Sequence, residues 1–176
     1  LNTPYPATAY LKGFLNTKNI SCYQADLGIE TTLAIFCKEG LIHLFKELQN
    51  FKNELSTNAR RILVLKDDYI QTIDNVILFL QGKNPTLAHL ICKRTFLPEA
   101  ARFAQTDDID WAFGSMGIQD KAKHLATMYL EDLSDLIMET VDQHFGFSRY
   151  AERLGRSANS FDELYESLQQ PYTYID

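Results

Sequence analysis

Apolar residues recur along most of this chain at three- and four-residue intervals, which places them on one face of an α-helix. Ala7, Tyr10, Leu11, Phe14 and Leu15 follow this spacing behind a stiff Thr3-Pro4-Tyr5-Pro6 segment, with Pro6 suited to a helix start. A second stripe runs through Leu33, Phe36, Cys37, Leu41, Leu44, Phe45 and Leu48, with Thr31 or Thr32 as cap and a bend expected at Gly40. Ser56-Thr-Asn58 restarts the chain. Ile62, Leu65, Tyr69, Ile73, Val76, Ile77 and Leu80 then predict one long helix from about Ala59 to Leu80, ended by Gly82 and Pro85. Shorter helices are expected over Thr86–Lys93 and Pro98–Gln105, followed by a polar and aromatic connection that holds Trp111. From Asp120, read as an N-cap, Ala122, Leu125, Ala126, Tyr129, Leu133, Leu136, Ile137 and Val141 share one face. A short helix is expected over Phe147–Leu154. Ser160 with Glu163 reads as a capping box for a last helix, Phe161–Leu168.

One segment breaks the helical rhythm. Ile20-Ser-Cys-Tyr-Gln-Ala-Asp-Leu27 alternates in part and carries strand formers, and Gly28 is expected to break it. Helix, turn, strand and an acidic residue at the strand end describe the middle of a βαβ unit. The expected fold is therefore mainly α: a helical bundle-like globule with a small α/β, partial Rossmann-like N-terminal element. The expected division is 1–30 for that element and 31–176 for the helical region, within a single compact unit. Both chain ends read as cuts through a longer polypeptide.

Composition narrows the function classes. The net charge is −6, and no Lys/Arg run exceeds a pair such as Arg60-Arg61, so a nucleic-acid partner is not expected. No apolar run approaches the roughly 20 residues that cross a bilayer, and the first residues form no signal peptide, so neither a membrane nor an export role is expected. Cys22, Cys37 and Cys92 are odd in number and widely spaced. That argues for a reducing, cytoplasmic setting and against a disulfide framework or a Cys-based metal site.

Chemistry-bearing residues are scattered. His43, His89, His124 and His144 have no histidine neighbour at metal-ligand spacing, and read as surface or core residues. The carboxylates Asp67-Asp68 and Glu131-Asp132 with Asp135 lie on expected helices and read as solvated faces. Asp107, Asp108 and Asp110 lack the Gly and distal Glu of a calcium loop, and capping explains them better. No phosphate loop, nucleophile elbow or dinucleotide fingerprint occurs. No catalytic or metal residue is assigned on these grounds.

The string Asn2-Thr-Pro-Tyr-Pro-Ala-Thr-Ala-Tyr-Leu-Lys-Gly-Phe-Leu15, followed by Ile20-Ser-Cys-Tyr-Gln-Ala-Asp26, resembles the N-terminal part of cobalamin-binding radical S-adenosylmethionine proteins. Pro4 and Pro6 match that family's first loop, Tyr10-Leu11 with Phe14-Leu15 its helix, and Asp26 its acidic strand end. His144-Phe-Gly-Phe-Ser-Arg-Tyr150 and Pro171-Tyr-Thr-Tyr-Ile-Asp176 also resemble iron–sulfur oxidoreductases of this kind. The resemblance implies an accessory segment of an iron–sulfur oxidoreductase, inactive in isolation, whose partner is the remainder of its own polypeptide. A full-length protein would hold a 4Fe–4S cluster, S-adenosylmethionine and cobalamin, with Tyr5 and Asp26 nearest the cobalamin. The segment itself lacks the family's Cys-x3-Cys-x2-Cys and Asp-x-His-x-x-Gly patterns, so no cofactor is expected on it alone. The alternative is a non-catalytic helical protein-interaction module that binds a peptide or a second copy through an exposed edge strand near Tyr23 or an aromatic groove, with a homodimer in isolation as one outcome. A third reading places a divalent metal on Asp107, Asp108 and Asp110.

Overall fold

Pro6 opens the first helix, where its missing N–H costs nothing and its fixed φ already suits the turn. This helix, α1, spans Pro6–Thr17 in the computed structural model, which describes residues 6–105, 117–143, 145–147, 160–169 and 171. It closes on Asn19, whose φ of 56° lies in the left-handed region that Asn tolerates. The Ile20 N–H then reaches the Leu15 carbonyl at 3.1 Å and the Asn19 N–H reaches that of Asn16 at 3.1 Å, the crossed pair that ends many helices.

Residues 20–26 do not form the expected strand, so the partial Rossmann-like element is corrected to a helix and an extended arm. A strand needs a neighbour to take its backbone N–H and C=O groups, and no strand occurs among the described residues. The arm instead doubles back along α1 through its side chains. Gln24 Nε2 donates to Thr8 Oγ1 at 2.8 Å, and the Cys22 thiol points at the Lys12 carbonyl at 3.8 Å. Nor does Gly28 act as a breaker. Asp26 accepts the Ile29 N–H on its carboxylate at 3.1 Å and the Glu30 N–H on its carbonyl at 2.9 Å, and this cap starts helix α2, Leu27–Ile35.

The chain divides into two compact units: Leu1–Ala34 with Phe147–Pro171, and Ile35–Gly146 with Tyr172–Asp176. The second unit holds helices α3 (Lys38–Glu47), α4 (Thr57–Val64), α5 (Lys66–Leu80), α6 (Ala88–Cys92) and α7 (Ile118–Thr140). The break before α3 falls at Phe36-Cys37 rather than at Gly40, because Cys37 adopts an extended backbone and its sulfur accepts the Gly40 N–H at 3.4 Å. Asp74 of α5 takes the next N–H, that of Lys38, at 2.9 Å.

The single long helix expected over 59–80 is two helices, α4 and α5, interrupted at Leu65. No Gly or Pro causes this. The two halves meet their neighbours differently: α4 packs on α7, whereas α5 packs chiefly on α3 and touches α7 through Tyr69 and Thr72. Gly82, with φ of 77°, ends α5 as its spacing predicted. Of Pro98–Gln105, only Ala101–Gln105 is helical, as a 3-10 turn. α7 starts at Ile118 behind Gly117, so Asp120 is not its cap but sits in its first turn, where its charge complements the helix dipole.

The core of this unit is the meeting of α5 and α7 with α3, α4 and α6, and its largest fully buried side chains include Tyr69, Tyr129, Phe36 and Phe79. In the first unit, α8 spans Phe161–Leu168 as its capping box predicted. No helix among the described residues is long and apolar enough to cross a membrane.

Candidate functional site

Chemistry concentrates in two places, one closed and one open. The closed place lies in the second unit, where Tyr69 of α5 stacks on Tyr129 of α7 at 4.9 Å between ring centroids. The Tyr129 hydroxyl donates to the Tyr69 carbonyl at 3.1 Å and lies 3.0 Å from Thr72 Oγ1. Three residues on, Asp132 is wholly buried. Its Oδ1 accepts the Arg102 N–H at 3.3 Å, while Asn58 Oδ1 accepts the preceding Ala101 N–H at 2.9 Å. Side chains from α7 and α4 thus satisfy both donors at the start of the 101–105 turn.

The Arg102 side chain reaches back to α7. Its Nε and Nη2 grip Asp135 at 2.9 Å each, and Nη1 reaches Glu131 at 3.0 Å. The hydrogen bond to Asp135 above all raises the guanidinium pKa.

Burial pushes the Asp132 carboxyl up to about 6, against the pull of the Arg102 N–H, the Asn58 side chain and the Arg102 charge. Both tyrosine hydroxyls are raised as well, mainly by desolvation. The Tyr69 hydroxyl and Asp132 Oδ2 are buried and find no hydrogen-bond partner among the described residues. A carboxyl in this state can hold a proton near neutral pH. It is closed to solvent, so a dissolved substrate does not reach it. Its physical role lies in stability and its pH dependence.

The open place is α1 and the arm that follows it. Tyr10, Leu11 and Phe14 share a helix face yet are 79%, 61% and 59% exposed, and Tyr23 on the arm is 86% exposed. Between helix and arm lies a shallow groove of about 260 Å³, bordered by Leu11, Lys12, Leu15, Cys22, Tyr23 and Ala25 and by the hydrogen-bonded polar pair Thr8 and Gln24. Lys12 and Lys18 carry the only charges from Pro6 to Ala25. Lys18 Nζ lies 5.6 Å from the centre of the Phe14 ring. This surface is apolar, with a positive rim, on a chain of net charge −6.

The residues picked out by resemblance fare differently. Tyr5 lies outside the described residues. Asp26 stands at the start of α2, its carboxylate engaged on the Ile29 N–H, and no sheet edge lies beside it among the described residues. The described residues therefore do not reproduce the edge at which the resemblance would seat cobalamin. Asp107, Asp108, Asp110 and His144 also fall outside the described residues. His43, His89 and His124 are exposed on separate helices.

Asp67 and Asp68 are solvated as read, but Asp132 is not. It falls seven residues after Leu125, three after Tyr129 and four before Leu136. That spacing puts it on the apolar face and would have marked it as buried. The α1 stripe was legible in the sequence, but its exposure was not.

These features define a mainly helical protein that combines a well-packed helical unit with an apolar helix-and-arm surface open to solvent. Comparison with protein-family models, with curated proteins and with solved structures finds no match for this chain.

Proposed function

We propose that the chain is a non-catalytic helical interaction module whose α1 and 20–25 arm receive an acidic amphipathic helix. The observation that carries this is the stripe Tyr10, Leu11 and Phe14, placed on one face of α1 and left open. An apolar patch with a polar rim on a soluble surface marks an interaction site more often than an accident of packing. The helix-in-groove mode takes anchors three and four positions apart, the spacing that separates Leu11 and Tyr10 from Phe14. Lys12 and Lys18 favour an acidic helix over a basic one.

Two synthetic amphipathic peptides test the reading, alike in apolar face and opposite in charge. Titration by calorimetry is expected to give saturable binding of the acidic peptide, and at least tenfold weaker binding of the basic one. The triple variant Tyr10→Ser, Leu11→Ser, Phe14→Ser should lose binding while its near-UV circular dichroism stays unchanged. If neither peptide binds at millimolar concentration, the reading fails.

The resemblance of residues 2–26 to cobalamin-binding radical S-adenosylmethionine proteins favours a second reading, in which the same surface is covered by the remainder of a longer polypeptide of an iron–sulfur oxidoreductase. Hydrogen exchange compares the two. In a longer gene product, α1 amides would be protected without any added peptide; if they exchange as fast as in this chain, the accessory reading is rejected.

A further inference from the structure

We infer that the acidic helix this surface takes is α8 of a second copy of the chain, so that two copies associate reciprocally through α1 and α8. The inference rests on the interaction reading above and names its partner.

α8 has the required chemistry. Phe161 and Tyr165 stack with ring centroids 6.2 Å apart and remain 75% and 54% exposed, so they form a ready apolar edge. Asp162 and Glu166, each next to one of these rings, are exposed carboxylates, and the helix carries no basic residue. α1 shows the converse pattern: Tyr10, Leu11 and Phe14 are bordered by Lys12 and Lys18, with no acid between Pro6 and Ala25. One element of the first unit thus offers apolar side chains with positive charges, and another offers aromatic rings with negative charges. Placing α8 of each copy on α1 of the other satisfies both at once and closes the assembly as a twofold pair, the commonest symmetry of soluble oligomers. Opposite charges at the rim set the pairing and make it sensitive to salt.

Charge reversal in the full chain tests this by multi-angle light scattering and sedimentation velocity. The wild type is expected to move from monomer to dimer as concentration rises, with the dimer weakening at high salt. Lys12→Glu with Lys18→Glu, and separately Asp162→Lys with Glu166→Lys, should each weaken dimerisation at least tenfold. An equimolar mixture of the two double variants should restore a dimer containing one copy of each. These are surface positions, and thermal melts of each variant confirm that it folds.

A wild type that stays monomeric at every concentration overturns the inference. So does a dimer indifferent to both reversals, and so does a mixture that fails to re-associate, which would mean that α8 docks within its own copy. Calorimetry with the acidic synthetic peptide separates the two claims. If the peptide still binds while the dimer is absent, the interaction reading stands and only the second copy is rejected. If the peptide fails as well, both are rejected.

Discussion

Asp132 shows how a single residue can tie local structure to the behaviour of a whole unit. Its carboxyl accepts the Arg102 N–H and so fixes the 101–105 turn against α7, yet its second oxygen is buried without a partner among the described residues. Burial raises its pKa from the ordinary 3.8 to about 6, so between these values the folded chain binds more protons than the unfolded one. Stability from this group is therefore present below pH 4 and is lost as pH rises through about 6. Asp132→Asn keeps the acceptor for Arg102 and removes the charge. The variant is expected to be more stable than the wild type above pH 6, by on the order of 2 kcal/mol, and about equally stable near pH 4. Urea unfolding of both proteins across this range measures the difference. A constant gap between them would show that Asp132 does not titrate there.

Among the elements, α4 depends most visibly on a side-chain cap. Ser56 Oγ accepts the Ala59 N–H at 3.1 Å and donates to the Glu139 carboxylate of α7 at 2.6 Å; Glu139 also takes the Ser56 N–H at 2.7 Å. One residue thus starts a helix and ties it to another. Ser56→Ala is expected to cost about 1–2 kcal/mol. Combined with Glu139→Gln, the loss should fall short of the sum of the two single losses, because both act on one hydrogen-bonded unit. Additive losses in a double-mutant cycle by denaturant unfolding would separate them.

α1 is the opposite case: Gly13 lies within it, with open space where a side chain would project. Gly13→Ala should strengthen this helix by about 0.5–1 kcal/mol. The gain is read as slower hydrogen exchange of α1 amides, and faster exchange would reveal a steric conflict there.

At the scale of the molecule, the second unit has its apolar side chains inside, while the first leaves much of its own outside. Buried contacts govern how rarely a helix opens. Amides of α5 and α7, which carry Tyr69, Ile73, Tyr129 and Leu133 in the core, are expected to exchange slowest. Those of α1 and α8 should exchange fastest, since helices of 12 and 8 residues are marginal without packing. Hydrogen exchange by mass spectrometry at low protein concentration checks this order. At high concentration, selective slowing of α1 and α8 would follow from the association inferred above.

The helical class, the α1 span, the Gly82 stop, the Ser56 restart and α8 were legible in the sequence, because periodicity, Pro and Gly placement and capping residues act over one or two turns. So were the residues of the α1 stripe, though not that they stay open. Other features were settled only by contacts between distant parts of the chain. Leu65 interrupts a good helical pattern where α4, packed on α7, gives way to α5, packed chiefly on α3. Residues 20–26 have strand-forming side chains but no strand to pair with among the described residues, and lie along α1 instead. Asp132 is buried because the 101–105 turn and α4 close over α7 from 30 or more positions away. Local propensity determines which segments wind into helices. Which of their faces are covered depends on what packs against them, and only the tertiary structure decides that.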